Sequence, residues 1–170
     1  VAISEDGKSV MNTRVYVEAM KKAKELGLPV FAHCEDKNLA GRGALNAGEK
    51  AKELGVEGIT NAVEDTSMGR DIILAHETGV QMHFCHCSTA FSKTMMEHVK
   101  ERGEKITAEV CPHHFTLCDE DIPGNDTNYK MNPPLRAKRD VQAIREGLRD
   151  NVFDVIATDH APHHFDDKNC

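Results

Sequence analysis

The sequence lacks tryptophan, and only 5% of its 170 residues are aromatic. A hydrophobic content of 39% is still enough for a sizeable core, which must be largely aliphatic. No apolar run approaches the ~18 residues that a membrane-spanning helix requires, and no signal-peptide pattern follows Val1. We therefore expect a protein that does not enter the membrane.

Clustered positive charge is also missing, and the formal net charge is -7. Nucleic acids and anionic membranes are bound mainly through Lys and Arg, so neither is an expected partner. Six cysteines are present, and four of them (Cys34, Cys85, Cys87 and Cys111) fall within or at the ends of apolar segments. This placement favours buried thiols in a reducing cytoplasm over disulfides.

Short apolar segments alternate with helical patterns along the whole chain. Strands are expected at residues 1–4, 29–32, 80–87, 106–111 and 155–158. Helices are expected at residues 12–26, 60–78, from 88 or 89 to about 99, and 137–148. Alternation at this spacing predicts an α/β fold with a parallel sheet. The run at 155–158 is expected to be a strand buried on both faces.

Polar side chains follow every predicted strand, namely Asp6, His33, His86, His113 and Asp159. A barrel brings all its strand ends to one axis, so this convergence favours a (β/α)8 TIM barrel. Five units are too few to close it. We therefore interpret residues 1–170 as about strands four to eight, with roughly three units expected on the N-terminal side.

Imidazoles and carboxylates at one centre indicate a metal site. Two His and two Asp could hold a pair of ions ~3.5 to 4 Å apart with a bridging hydroxide. Asp159 could both ligate metal and carry a proton to a leaving nitrogen. Any one of these His would more often be structural, so the prediction depends on the combination. The same ligands accept cobalt or manganese, which leaves the metal open.

Six motifs carry a resemblance to a known family. They are SEDG at 4–7, HCED at 33–36, HCSTA at 86–90, AEVCPHHF at 108–115, KMNPPLR at 130–136 and TDHAPHH at 158–164. In this order and spacing the sequence resembles the dihydroorotases of the bacterial long-chain type, in the amidohydrolase superfamily. The resemblance implies a TIM barrel with two zinc ions.

The resemblance also implies residue roles. Asp6 would be the bridging carboxylate, His33 and His86 would bind one zinc, and Asp159 would bind the other zinc and act as general acid and base. Asn132 and His163 would contact the substrate. The implied reaction is the reversible conversion of N-carbamoyl-L-aspartate to (S)-dihydroorotate plus water in de novo pyrimidine biosynthesis. A metal-bound hydroxide would be the nucleophile in the hydrolytic direction.

One part of the family's site is expected outside these residues. A His-x-His pair and a substrate-binding Arg would come from a strand before Val1, so residues 1–170 alone are expected to be inactive. Two alternatives stay open: another cyclic amidase (allantoinase or hydantoinase), or a non-catalytic scaffold, although the retained ligands weigh against the scaffold. A homodimer or a pyrimidine-pathway enzyme partner is also compatible with the sequence, and no role is assigned to His113 or His114.

Overall fold

The computed structural model describes residues 1–5 and 7–168. Its strands are β1 (Ile3–Ser4), β2 (Val30–Ala32), β3 (Leu45–Asn46), β4 (Gly58–Ile59), β5 (Met82–Phe84), β6 (Ile106–Val110) and β7 (Val155–Ile156). The main sheet is parallel and has the order β1-β2-β5-β6-β7, while β3 and β4 form a separate parallel pair. The α/β class and the parallel sheet predicted from the sequence are confirmed.

The helices are α1 (Thr13–Glu25), α2 (Lys37–Ala40), α3 (Glu49–Leu54), α4 (Ala62–Thr78), α5 (Ala90–Glu101), α6 (Pro112–Thr116) and α7 (Lys138–Arg149). Side-chain caps fix where several of them begin. Asn12 accepts a hydrogen bond from the backbone N–H of Val15, and Thr89 forms a reciprocal capping box with Ser92. Among the described residues no helix is both long and apolar enough to cross a membrane.

The two faces of the main sheet carry different side chains. Met82 and Phe84 of β5 point into the apolar core beneath the helices, where both are fully buried. The alternate residue His83 lies on the opposite face, with its ring centroid 4.6 Å from that of Phe31. Residues Thr107 and Glu109 of β6 join this second face by hydrogen bonding to His83. The sheet therefore has an aliphatic outer face and a partly polar inner face.

Three expectations need correction. The Gly- and Ala-rich connection at 38–58, where the sequence predicts a short helix near 49–54, also contributes to the β3–β4 pair, because no apolar run marks its strands. His83, which the sequence places on a strand surface without a partner motif and in a structural role, is buried and bonded to Thr107 and Glu109. The segment 155–158 was expected to be buried on both faces. Instead Val155 is 43% and Ile156 58% exposed, because β7 is an edge strand that pairs only with β6.

A buried carboxyl group lies under the sheet on α4. Asp71 is completely buried, and its Oδ1 accepts a hydrogen bond of 2.7 Å from Arg70 Nε. Its Oδ2 has no hydrogen-bond partner within the described part of the chain. Burial raises the pKa of Asp71 from 3.8 to about 6, and the opposing effect of Arg70 is insufficient to restore it.

This pKa predicts a stability that depends on pH. Between pH 4 and 6 the unfolded chain loses the Asp71 proton while the folded chain keeps it, so stability falls as pH rises. Asp71→Asn removes this effect. The free energy of unfolding of the variant minus that of the parent should therefore rise by about 3 kcal/mol as the pH is raised from 4 to 7. Urea unfolding of the full-length protein at each pH measures the difference. A difference that does not change with pH would show that Asp71 titrates normally.

Candidate active site

Two buried imidazoles meet where β2 and β5 end. His33 follows β2, His86 follows β5, and the two strands are neighbours in the sheet. His33 Nδ1 lies 3.0 Å from His86 Nε2, and the rings are edge to face with centroids 4.7 Å apart. Parallel pairing therefore brings together the two His that the sequence places at strand ends.

The backbone around His86 is specialised to present its ring. His86 has a φ of 38°, an uncommon left-handed conformation for a residue other than glycine. The flanking amides hold this turn between adjacent strands, since Cys85 N–H donates to Ala32 O and Cys87 N–H donates to Glu109 O, each at 2.9 Å. Strain of this kind is stored where surrounding contacts fix a functional side chain.

A carboxylate orients His33 from its other ring nitrogen. Glu35 Oε2 lies 3.2 Å from His33 Nε2, and the side-chain amide of Asn132 lies 3.3 Å from the same atom. Burial raises the pKa of Glu35, but the hydrogen bond and charge of Lys37 and the interaction with His33 outweigh it and leave this pKa below its usual value. An ionised Glu35 only accepts, so its contact favours the His33 tautomer with the proton on Nε2 and the Nδ1 lone pair facing His86. The amide nitrogen of Asn132 is also a donor, so in this tautomer it lies beside Nε2 without a hydrogen bond to it.

Asp159 follows β7, the edge strand next to β6, whereas His33 and His86 follow β2 and β5. The β6–β7 pairing continues to Ala157, whose N–H donates to Val110 O at 3.0 Å, and Asp159 follows with a φ of 47°. Burial lowers the pKa of His113, and the negative charge of Asp159 partly opposes this effect. Asp159 is therefore close to His113, whereas its side chain remains exposed.

The segment after β6 forms a short helix that the sequence did not predict. Pro112 occupies the first turn of α6, a position where its missing N–H is no loss. The helix buries His114, which is 2% exposed, and leaves His113 partly accessible. The ligand atoms of Cys111, His113 and His114 all lie within 4.8 Å of one another. The sequence signals for this cluster were Cys111 at the end of an apolar segment and the motif AEVCPHHF at 108–115.

A buried ion-pair network holds the loop that carries Asn132. Arg136 is 2% exposed, and its guanidinium lies 3.5 Å from Glu64 Oε2. It also donates to Ser88 Oγ at 3.0 Å, to Asn46 Oδ1 at 3.4 Å and to the carbonyl of Ile59 at 3.2 Å. Ser88 in turn donates to Glu64 through its N–H and its hydroxyl. These bonds join the loop to β3, β4, α4 and the segment after β5.

The two residues expected to contact substrate share one cavity. Asn132 and His163 line a space of about 510 Å³, together with Glu35 and Lys130. His163 is exposed on the segment that follows β7. Of the expected metal ligands, Asp6 lies outside the described residues. His33 and His86 form a pair, and Asp159 lies on the His113 side of the same strand ends.

The sequence matches one family of known proteins. A profile described as dihydro-orotase-like matches residues 1–92, more than half of the chain. The chain belongs to this family. It is 50% identical over 162 residues to the dihydroorotase of Geobacillus sp. (strain WCH70), covering 95% of this chain and 38% of the relative. It is also 50% identical over 169 residues to the dihydroorotase of Pelotomaculum thermopropionicum, covering 99% and 40%. The chain thus spans about two fifths of the length of these relatives.

Solved structures show the same fold. D-hydantoinase (dihydropyrimidinase) from Thermus sp. superposes with a TM-score of 0.77 at 27% identity, covering 95% of this chain and 37% of that enzyme. The dihydroorotase of Saccharomyces cerevisiae in complex with 5-fluoroorotic acid gives a TM-score of 0.71 at 19% identity, covering 92% and 42%. These amidohydrolases are TIM barrels, and the five-stranded parallel sheet corresponds to part of such a barrel.

The buried network gives a prediction about stability. Arg136→Met leaves the Glu64 carboxylate buried without its cation, so it should lower the free energy of unfolding by about 3 kcal/mol or more. Adding Glu64→Gln removes the stranded charge, and the double variant should be less destabilised than the sum of the two single variants. Urea unfolding of the full-length protein measures all three.

Arg139 provides the matched control. It lies three residues further along, on α7. Its side chain is 80% exposed and makes one long contact, 3.8 Å from Nε to Oδ2 of the buried Asp140, in place of the several short bonds of Arg136. Arg139→Met should change stability by less than about 0.5 kcal/mol. If Arg136→Met and Arg139→Met lowered the free energy of unfolding equally, Arg136 would not stabilise the protein through its buried network.

Proposed function

We propose that the protein containing this chain is a zinc-dependent dihydroorotase that interconverts N-carbamoyl-L-aspartate and (S)-dihydroorotate. The observation that carries this proposal is the buried His33–His86 pair at adjacent strand ends, with His33 oriented by Glu35. Membership of the dihydro-orotase-like family supplies the substrate class. We also propose that the whole protein forms a complete (β/α)8 barrel. It would act in pyrimidine biosynthesis, in the cytoplasm.

The residues present fit a metal centre. His33 Nδ1 and His86 Nε2 face each other at 3.0 Å, and the Glu35 contact is the outer bond that metal-ligating His commonly makes. His33 and His86 would hold one zinc ion, Asp159 would hold a second, and Asp6 would bridge them. When bound, zinc supplies a Lewis acid that polarises a carbonyl oxygen and makes water more acidic.

The chain's own residues supply proton transfer and binding. Asp159 would deliver a proton to the departing ring nitrogen during hydrolysis and take it back during ring closure. Asn132 and His163, from different segments, would hold the substrate in the cavity that they line. Lys130 lines the same cavity, and its positive charge complements the carboxylates of a dianionic substrate.

A hydantoinase activity is the second candidate. It is favoured by one observation, the TM-score of 0.77 and 27% identity to the Thermus sp. D-hydantoinase. Dihydroorotate carries a carboxylate on its ring and hydantoin does not, so an assay of both substrates with allantoin added separates the activities. Turnover of hydantoin or allantoin in preference to dihydroorotate would contradict the dihydroorotase proposal.

The role of Asp159 predicts a selective loss of rate. Asp159→Asn cannot transfer a proton, so kcat should fall by at least about 100-fold. His164→Ala is the control in the same segment, because its imidazole is 74% exposed and contacts only Asp166 in the described part of the chain. It should leave kcat within about twofold. Equal rates in Asp159→Asn and the parent would contradict the assignment.

Metal analysis and binding separate the remaining roles. His86→Ala should lower the zinc content of the full-length protein by about one ion per chain, since it removes a ligand. Asn132→Ala should raise KM more than it lowers kcat if its contact is equal in ground and transition states. Full-length protein that holds no zinc after purification and reconstitution would overturn the zinc-enzyme proposal.

A further inference from the structure

A second group of metal-binding atoms lies beside the proposed two-ion centre. Cys111 ends β6, and His113 and His114 occupy the first turns of α6. One sulfur and two ring nitrogens from these residues lie within 4.8 Å of one another. Cys111 is fully buried and His114 is 2% exposed, whereas His113 faces partly toward solvent. The group is therefore enclosed but reachable from one side.

The orientation of His114 indicates what the group binds. Its Nε2 lies 3.0 Å from the carbonyl oxygen of Pro133, and because a carbonyl only accepts, Nε2 must carry the proton. Nδ1 is then an unprotonated lone pair. It is buried and has no hydrogen-bond partner among residues 1–5 and 7–168. An unsatisfied buried acceptor costs about 1 to 3 kcal/mol, so its persistence calls for a ligand.

The same arrangement is that of a metal-ligating histidine. Such residues usually donate their second N–H to a carbonyl or carboxylate, which fixes the ring and its tautomer. Burial, together with the charge of His113, lowers the pKa of His114 to about 3, so its imidazole is neutral at physiological pH. Protonation therefore does not compete with an ion for Nδ1.

A rival group lacks this feature. His83, Cys85 and Glu109 also lie within 4.8 Å of one another. There, however, both ring nitrogens of His83 have partners, Thr107 at 2.8 Å and Glu109 at 3.0 Å. An ion at that group would have to displace bonds that already exist. At Cys111, His113 and His114 one ring nitrogen, His114 Nδ1, has no partner in the described part of the chain that an ion would have to displace.

We propose that Cys111, His113 and His114 form a separate binding site for one zinc-class transition-metal ion. A thiolate and two imidazoles favour Zn²⁺ or Co²⁺ over Mg²⁺ or Ca²⁺. With metal–sulfur and metal–nitrogen distances of ~2.3 and ~2.1 Å, tetrahedral ligand atoms lie ~3.5 Å apart, so ligand atoms now within 4.8 Å must approach one another by up to about 1 Å. The Cys111 thiol loses its proton on binding, so metal uptake releases one proton.

The site also touches the substrate-binding loop. His114 Nε2 donates to the carbonyl oxygen of Pro133, and Pro133 is the residue directly after Asn132. An ion on Nδ1 fixes the ring that makes this bond, so occupancy restrains the loop on which Asn132 lies. None of the three ligands belongs to the set proposed for the two-ion centre, so either proposal can fail without the other.

Cobalt spectroscopy of the full-length protein tests the site. The two-ion centre contains only nitrogen and oxygen donors, so a sulfur-to-cobalt charge-transfer band in the near ultraviolet reports thiolate ligation alone. Metal-free protein titrated with Co²⁺ should develop this band, and Zn²⁺ should remove it by competition. Cys111→Ser should abolish the band and lower the bound Co²⁺ by one ion per chain.

Two further variants make the result decisive. Cys85→Ser, the matched control from the rival group, should keep the band at full intensity. His113→Ala alters a partly exposed side chain, so it tests the site even if Cys111→Ser fails to fold, and it should weaken Co²⁺ binding at the band at least tenfold. The absence of a band in the parent protein, or its loss in Cys85→Ser with retention in Cys111→Ser, would overturn the proposal.

Discussion

The parallel register of β2, β5 and β6 is the constraint on which the rest of this structure depends. Val30 pairs with Met82, and Met82 pairs with Ile106, so all three strands run in step and end at one edge. The register is fixed on the outer face by fully buried Met82 and Phe84, since a slip by one residue would bring His83 into the aliphatic core. Packing on one side of the sheet therefore determines which side chains meet at its end.

The register alone does not complete the site, because Asn132 comes from a loop with little regular structure. That loop is tied down by charge. Arg136 reaches four different segments through one planar guanidinium, and Glu64 provides the compensating carboxylate. A lysine has neither the shape nor the number of donors for this task. The NPPLR motif thus combines a residue that faces the site with a residue that anchors the loop.

The sequence predicted those features that follow from periodicity and from residue chemistry. The five main strands, the four longest helices (α1, α4, α5 and α7) and the meeting of His33 with His86 were accessible, because apolar runs mark the strands and parallel strands share one edge. The β3–β4 pair was missed because its strands lie in a Gly- and Ala-rich segment without an apolar run. The burial of Arg136 was inaccessible for a different reason: its partners Asn46 and Glu64 are 90 and 72 residues away, and no local pattern encodes such a network.

Side chains of the candidate site are buried where they follow central strands and exposed where they follow an edge strand. The imidazoles that follow the central strands are enclosed, with His33 and His86 both 3% exposed. Asp159 follows edge strand β7, whose Val155 and Ile156 are exposed and which pairs on one side only. Its position is therefore constrained from the β6 side, through Ala157 and the charges near His113.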